Sequence, residues 1–377
     1  MNASVVQPAT SDAARNAKRK VQNIVLPGQT PEGEYILSVL VKRSYDIIPG
    51  KQCARADSDQ KIFPGDVHYD DPMNSSVKFE SDFVPFKIAT DVVFNGKAYA
   101  PDGKPTGTMT ASVIIGQVCK NIRVIGDRVC RYRSEGEPLF TDPQPFTTME
   151  ICYERAYGGV DIYTDPKVSC AYARNHLGRG FVVGATQNVI ENLALPNIED
   201  PHDLLTPARL STDHFMHWER QPMPEGFGWV SKMWRPRALL AGVMPADRTV
   251  EQELRKIYAS VVPPEQRQMY EQTQLPDMNF SFFNGASPGL ALPFLFGDEE
   301  IQTINLAPEG ELSFNLPDER PHIGLDIGMG MQEPPVVLHT LMVRMEDRQI
   351  DLVWRGAVTY PGPDWLPGMK KMKVLIQ

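Results

Sequence analysis

Apolar and polar residues alternate in the first half of the chain in a way that indicates strands. In TMTASVII (108–115), Met109, Ala111 and Val113 alternate with threonine and serine, which is the period-two pattern of a half-buried strand. VCKNIRVI (118–125) alternates again after a Gly-Gln turn. We therefore predict two neighbouring strands of a β-meander.

Stretches on both sides of this pair are also typical of strands. EYILSVLVKRSYDI (34–47) is rich in β-forming residues, and residues 90–99 contain the hairpin dipeptide Asn95-Gly96. The last third of the chain has the same texture, with predicted strands at 301–306, 311–316, 336–345 and 350–358. The predicted fold class is mainly β, with two packed antiparallel β modules, arranged as in a sandwich, flanking a loop-rich centre.

Helical periodicity is found near residue 250. Thr249 is a candidate N-cap with Gln252 three residues later, as in a capping box, and apolar residues follow at helical spacing. Pro263-Pro264 ends this stretch, and a proline can also open a second helix. The sequence therefore predicts one or two short helices around 250–272.

Changes in texture along the chain suggest four regions. Residues 1–30 are polar and are predicted to form a flexible N-terminal arm, and residues 31–150 an N-terminal β module. Residues 151–248 are dense in Gly, Pro, Arg and Trp and follow neither period for long, which predicts a loop-rich central region. Residues 249–377 are predicted to contain the helix and a C-terminal β module.

Composition narrows the class of function. The net charge of −9 and the pI of about 5.4 disfavour nonspecific nucleic-acid binding, which needs a basic surface. The longest apolar runs are far shorter than the roughly 18 residues that a membrane span requires. We expect a protein that binds neither nucleic acid nor membrane.

The cysteines lie at positions 53, 119, 130, 152 and 170. Their number is odd and they contain no CxxC motif or Cys/His spacing typical of a metal site, so we expect reduced, mostly buried thiols in a cytoplasmic protein.

Two histidines are the candidate metal ligands. His214 and His217 in DHFMHWE lie three residues apart, so a helix would place both imidazoles on one face. There is no HExxH motif and no third ligand at a suitable spacing, and a surface or partly buried pair explains the pattern more simply. We therefore expect no metal and no cofactor. A metal-dependent hydrolase or toxin-associated enzyme that uses the His214/His217 region is the alternative function.

The segment GFGWVSKMWRPR (226–237) is the most suggestive candidate for binding. Aromatic residues and arginine are enriched at interface hot spots, and this segment offers Trp229, Lys232, Trp234 and Arg235 as partner-binding residues. The competing interpretation is structural, with the indoles buried and the arginines paired. The sequence leaves both open.

Several separate stretches resemble one family, the domain of unknown function family 2169. They are SDFVPFKIATDVVFNGKAYAPDGKP (81–105), GDRV (126–129), YERAYGG (153–159), NHLGRGF (175–181), LPNIEDP (195–201), GFGWVSKMWRPR (226–237), FFNGA (282–286) and FGDEEIQTINLAPEGELSFNLP (296–317). The resemblance implies a non-enzymatic adaptor or chaperone that binds a type VI secretion effector and helps to load it onto a spike protein of the VgrG or PAAR type. Lys97 departs from the histidine that the resemblance leads us to expect, which argues against a metal or catalytic role there.

The central motifs combine charged residues with glycines, and we expect them to converge in one structural charge network. Glu199 is expected to pair with Arg235 and Arg237 in this network, and Arg155→Ala is expected to lower stability. Direct partner contact and catalysis are the alternatives for these motifs. The predicted network residues are Glu154, Arg155, Tyr157, Gly158, Gly159, Asn175, Gly178, Arg179, Gly180, Glu199 and Arg237.

Overall fold

Two large β-sheets form the framework of the computed structural model. The structure describes residues 21–132, 137–162, 164–165, 167, 169–184, 187–210, 220–243, 276–365 and 372–377. In chain order, the strands of these two sheets are β1 Gln22–Gln29, β2 Tyr35–Asp46, β3 Ala54–Arg55, β4 Thr90–Asn95, β5 Thr108–Ile115, β6 Val118–Ile125, β7 Ile198–Glu199, β8 Ala291–Leu292, β9 Glu300–Ile304, β10 Glu311–Asn315, β11 Val336–Arg344 and β12 Gln349–Thr359.

The first sheet has the strand order β1-β2-β12-β11-β4-β8, with β3 paired to β2. Its strands pair antiparallel except for β4 and β11, which run parallel. The second sheet has the order β7-β6-β5-β9-β10 and is antiparallel throughout. The mainly β prediction is therefore confirmed.

The largest apolar core lies between the two sheets. It contains Phe94 and Trp354 from the first sheet and Ile122, Ile301 and Phe314 from the second, all almost completely buried. Each sheet covers the apolar face of the other, as in a sandwich.

The strands are not distributed as one separate β module for each of the two predicted β regions. Each large sheet combines strands from residues 31–150 with strands from residues 249–377. In the first sheet β2 pairs with β12 over eleven residues, and in the second β5 pairs with β9. Pairing across the regions gives hydrogen-bond partners to strand edges that would otherwise be exposed. The end of the predicted arm is also ordered, since residues 22–29 form β1 on β2.

Shorter elements complete the fold. The small sheets pair Val67–His68 with Val77–Phe79, Lys97–Tyr99 with Thr148–Glu150, Cys130–Tyr132 with Pro138–Phe140, Tyr157–Gly158 with Arg179–Gly180, Val160–Asp161 with Cys170–Ala171, and Ile323–Asp326 with both Met331–Gln332 and Lys373–Ile376. The α-helix α1 is Gln187–Ile190, and the 3-10 turns are Pro101–Gly103, Tyr153–Arg155, Pro207–Leu210, Arg237–Leu240 and Phe280–Phe283. The predicted helices around 250–272 lie outside the described residues.

The central region has an apolar cluster of its own. Tyr157, Tyr172, Phe181, Ile190 and Leu195 are buried against one another, although the strands around them are only two residues long. This cluster anchors the loops that the sequence predicted there. None of the described helices is long and apolar enough to cross a membrane.

All five cysteines are free thiols. Cys53 and Cys130 are buried, Cys152 and Cys170 are half-buried, and Cys119 is exposed. Burial raises the pKa of the Cys53 thiol to about 12.

The stability of the fold is expected to depend on the protonation of His339. This residue lies at a register shift in β11, is 2% exposed, and its Nε2 has no hydrogen-bond partner. Burial, with the positive charges of Lys87 and Arg355, holds the pKa of His339 well below its ordinary value. The unfolded chain therefore binds a proton near the ordinary pKa of about 6.5, whereas the folded protein does not, so stability falls as the pH drops below that value.

Urea denaturation between pH 7.5 and pH 5.5 measures this effect. His339→Gln removes the titrating group, and its loss of stability on acidification is expected to be smaller than that of the wild type by up to about 1.4 kcal/mol per pH unit. His322→Gln, at a half-exposed histidine, serves as the control and should follow the wild type. Identical pH profiles for wild type and His339→Gln would contradict the prediction.

Candidate functional site

The motifs YERAYGG and NHLGRGF meet at one crossing of the chain. A 3-10 turn at Tyr153–Arg155 leads into the strand Tyr157–Gly158, which runs parallel to Arg179–Gly180. Asn175 is completely buried beside this crossing, and its Nδ2 donates to the carbonyl oxygens of Tyr153 (2.7 Å) and Tyr157 (3.1 Å). The asparagine thus satisfies carbonyl groups that these short strands leave without a ladder partner.

Close backbone approach explains the glycines of both motifs. Gly158 has φ of 149°, and a Cβ at this position would lie 2.1 Å from the carbonyl oxygen of Asn175. Gly159, Gly178 and Gly180 lie at the same crossing, and each would also bring a Cβ within 3 Å of a neighbouring atom. The crossing requires residues without side chains.

Arg155 and Arg179 converge on one buried acceptor. Their Nη1 atoms each donate to Oδ1 of Asn197 at 3.1 Å, and Asp127 lies 3.6 and 3.8 Å away. Nε of Arg179 donates to the carbonyl oxygen of Glu154. The Glu154 carboxylate binds a different partner: it accepts hydrogen bonds from the backbone N and the Oγ of Ser76 at 2.7 and 2.8 Å.

Glu199 does not pair with Arg235 or Arg237, contrary to the prediction. It is 1% exposed, and its carboxylate forms an ion pair with Arg128 and accepts a hydrogen bond from the backbone N of Leu205. Burial raises the pKa of Glu199, and Arg128 opposes this shift. The pairing follows from the strand register, which places β7 beside β6, immediately before Arg128.

Arg237 belongs to a separate buried network. Its guanidinium binds both carboxylate oxygens of Glu80 at 2.6 and 3.1 Å, and it donates to the carbonyl oxygens of Phe282 and Val230. Lys232 lies 3.0 Å from the same Glu80 and 2.9 Å from Asp66. The predicted single network is therefore divided among several clusters, because each charged group pairs with the nearest partner that the fold supplies.

Tyr157 joins the core of the central region. Its hydroxyl donates to Oε1 of Gln221 at 2.7 Å, and its ring packs edge-on against Tyr172 with centroids 5.1 Å apart. The role is structural.

The two predicted partner-binding tryptophans are buried. Trp229 is 4% exposed and packs beside Val93 and Met342, and the ammonium of Lys87 lies over its ring. Trp234 is 3% exposed, and its Nε1 donates to Nδ1 of His176. Both indoles are thus largely buried, as the structural interpretation expects, and Trp234 also lines the pocket described next. Of the four predicted residues, Lys232 is half-buried and paired, and Arg235 is exposed.

An apolar pocket of about 170 Å³ opens beside Trp234, between three of the sequence motifs. Tyr153 comes from YERAYGG, Trp234 from the 226–237 segment, and Ala286 from FFNGA. The pocket is lined by Tyr153, Arg174, Met223, Pro224, Val230, Trp234, Arg235, Pro236, Arg237, Leu240, Ser281, Asn284, Ala286 and Pro288.

Two exposed apolar residues are sequence neighbours of residues that line this pocket. Met233 is 82% exposed and Leu239 57% exposed, each next to a residue that lines the pocket. Sequence reasoning missed both, because it weighted the aromatic and charged residues of the segment. The available signal was position: Met233 directly precedes Trp234, which the fold buries, and Leu239 lies within the turn that begins at the buried Arg237.

The metal-ligand candidates His214 and His217 lie outside the described residues. Within the described part of the chain, no group of three or more His, Cys, Asp and Glu side chains is placed to hold a metal ion. Lys97 lies 3.0 Å from Glu150 and 3.2 Å from Glu346, so its ammonium balances two carboxylates on the surface.

Arg155→Ala is expected to lower the free energy of unfolding by only about 1 kcal/mol. The Arg155 side chain is 28% exposed, and Arg179 remains to donate to the shared acceptor Asn197. Urea denaturation monitored by tryptophan fluorescence measures the loss. A cost of several kcal/mol would contradict this assignment and restore Arg155 to the centre of one large network.

Comparison with known proteins gives a match to a family model. The model of a family described as "Uncharacterized protein conserved in bacteria (DUF2169)" matches residues 32–355, a range that contains every motif quoted above. No curated protein and no solved structure matches the chain.

Proposed function

We propose that this chain, which belongs to the DUF2169 family of proteins conserved in bacteria, is a non-enzymatic adaptor. On this proposal it acts in the cytoplasm as a chaperone that binds a type VI secretion effector and helps to load it onto a VgrG or PAAR spike protein. The resemblance of the motifs at 81–317 supports the secretion role. The pocket beside Trp234 supports binding of a protein.

The apolar pocket and its exposed flanks carry the proposal. Exposed apolar side chains next to a concave apolar site are typical of protein interaction surfaces. Met233 is almost fully exposed and Met223 lines the pocket. Methionine side chains are flexible and polarizable, so they adapt to partners of different shape. This suits a protein that must hold an effector and later release it.

The wall of the pocket is held rigidly. Arg237 is fixed by Glu80 and by two carbonyl oxygens, and Trp234 packs edge-on against Tyr153 with centroids 5.2 Å apart. A binding surface ordered before the partner arrives loses less conformational entropy on association. The buried charges of the 226–237 segment therefore shape the pocket, whereas the exposed residues beside them make the contacts.

The carboxylates of Glu80, Glu154 and Glu199 all form contacts within the fold, which supports a non-enzymatic role. Glu154 holds Ser76, Glu80 holds Arg237, and Glu199 holds Arg128. The alternative, a metal-dependent hydrolase, depends on His214 and His217. Elemental analysis of the purified protein separates the two: stoichiometric zinc favours the hydrolase, and its absence favours the adaptor.

Co-purification of the tagged protein with the products of neighbouring genes, followed by size-exclusion chromatography, tests the adaptor function. A stable complex with an effector or a spike protein is the expected result. Met233→Asp places a charge on the exposed residue next to Trp234, where it should not disturb the core, and it is expected to reduce recovery of the complex at least about tenfold.

The matched control is Met329→Asp. This methionine is 52% exposed and lies between the strands Ile323–Asp326 and Met331–Gln332. It introduces the same charge and is expected to leave the complex intact. The surface assignment is wrong if both variants bind equally well, and the adaptor proposal itself is wrong if no neighbouring gene product is ever retained.

A further inference from the structure

Arginines are the charged residues of the pocket beside Trp234. Arg174, Arg235 and Arg237 line it, and the described lining residues contain no aspartate or glutamate. The Arg237 guanidinium is 5% exposed and is fixed by its contacts with Glu80. The pocket therefore combines apolar walls with guanidinium groups.

The size of the pocket corresponds to one ring. Its volume is about 170 Å³, and an engineered apolar cavity of about 150 Å³ is known to hold benzene. Pro224, Pro236 and Pro288 contribute flat ring surfaces to the lining, and Trp234 and Tyr153 contribute aromatic ones. Flat apolar walls of this kind suit a planar guest.

We infer that the pocket receives one aromatic side chain of the protein partner. The inference rests on the proposed adaptor function and names the anchor by which the partner is held. The face of an aromatic ring carries negative potential and is attracted by guanidinium groups. A leucine would bury the same apolar walls without this attraction, and a lysine would bring a positive charge to a site whose charged lining residues are arginines.

Capped amino acids test the inference without a known partner. Saturation-transfer NMR compares N-acetyl-tryptophanamide, N-acetyl-leucinamide and N-acetyl-lysinamide on the full-length protein. The tryptophan derivative is expected to bind about fivefold more tightly than the leucine derivative, as a cation–π contact of about 1 kcal/mol gives. The lysine derivative is expected to give no signal.

Two variants locate the binding. Leu240→Trp fills the pocket from its own wall and is expected to abolish binding of the tryptophan derivative. Arg235→Glu changes an exposed side chain and should not disturb folding, and it is expected to remove most of the preference for tryptophan over leucine. Lys104→Glu reverses a charge on a side chain that is 79% exposed and serves as the control, with no expected effect.

The outcomes separate this inference from the adaptor function. If the partner complex forms in wild type and in Leu240→Trp alike, the aromatic anchor is refuted and the adaptor function survives. If the leucine derivative binds as tightly as the tryptophan derivative, the ring preference is refuted. If the tryptophan derivative binds in the pocket but no complex forms with any neighbouring gene product, the pocket assignment is supported and the adaptor function fails.

Discussion

Arg237→Ala is expected to lower the free energy of unfolding by about 3–5 kcal/mol, the usual cost of breaking a buried ion pair on one side. Both side chains of the Arg237–Glu80 pair are about 5% exposed. The substitution leaves the Glu80 carboxylate with Lys232 alone and removes the donors to the carbonyl oxygens of Phe282 and Val230. Urea denaturation measures the loss.

Arg235→Ala provides the matched control for this prediction. It removes the same type of side chain two residues earlier, at an exposed position, and is expected to cost less than about 1 kcal/mol. The double variant Glu80→Ala/Arg237→Ala should lose less than the sum of its two single variants, because the second substitution removes the charge that the first one left without its main partner. Equal stability of Arg237→Ala and wild type would contradict the assignment.

Gly158→Ala is expected to cost at least about 3 kcal/mol, because it adds backbone strain to a steric overlap. The new Cβ would lie 2.1 Å from the carbonyl oxygen of Asn175, and the φ of 149° disfavours any side chain. The parallel pairing with Arg179–Gly180 would have to open to relieve the contact. Thermal unfolding of the purified variant measures the effect. A lower yield of soluble protein is also expected.

Gly50→Ala separates the two contributions. Gly50 has a positive φ of 67°, but a Cβ there would meet no atom within 4 Å. Its replacement should therefore cost only the conformational strain, about 1–2 kcal/mol. If Gly50→Ala and Gly158→Ala were equally destabilised, the close approach at the ERAYGG crossing would contribute nothing.

The sequence by itself determined the strands that face the core on one side. Met109, Ala111 and Val113 are buried in β5 as the alternation predicted. This succeeds because successive side chains of a strand point to opposite faces, so burial of one face leaves a period of two in the sequence. The clustering of glycines in the central motifs was also visible in the sequence, and the structure shows the close backbone approach that requires them.

Only the tertiary structure decided which charges meet and which aromatic residues are buried. Glu80 and Arg237 are 157 positions apart, whereas Glu199 pairs with Arg128 because β7 lies beside β6. The same holds for the pocket, which is assembled from separate segments of the chain. A local pattern records whether a residue faces the interior, but the identity of its neighbour depends on which strands pair. That pairing is decided by long-range burial and hydrogen bonding, which no single stretch of sequence contains.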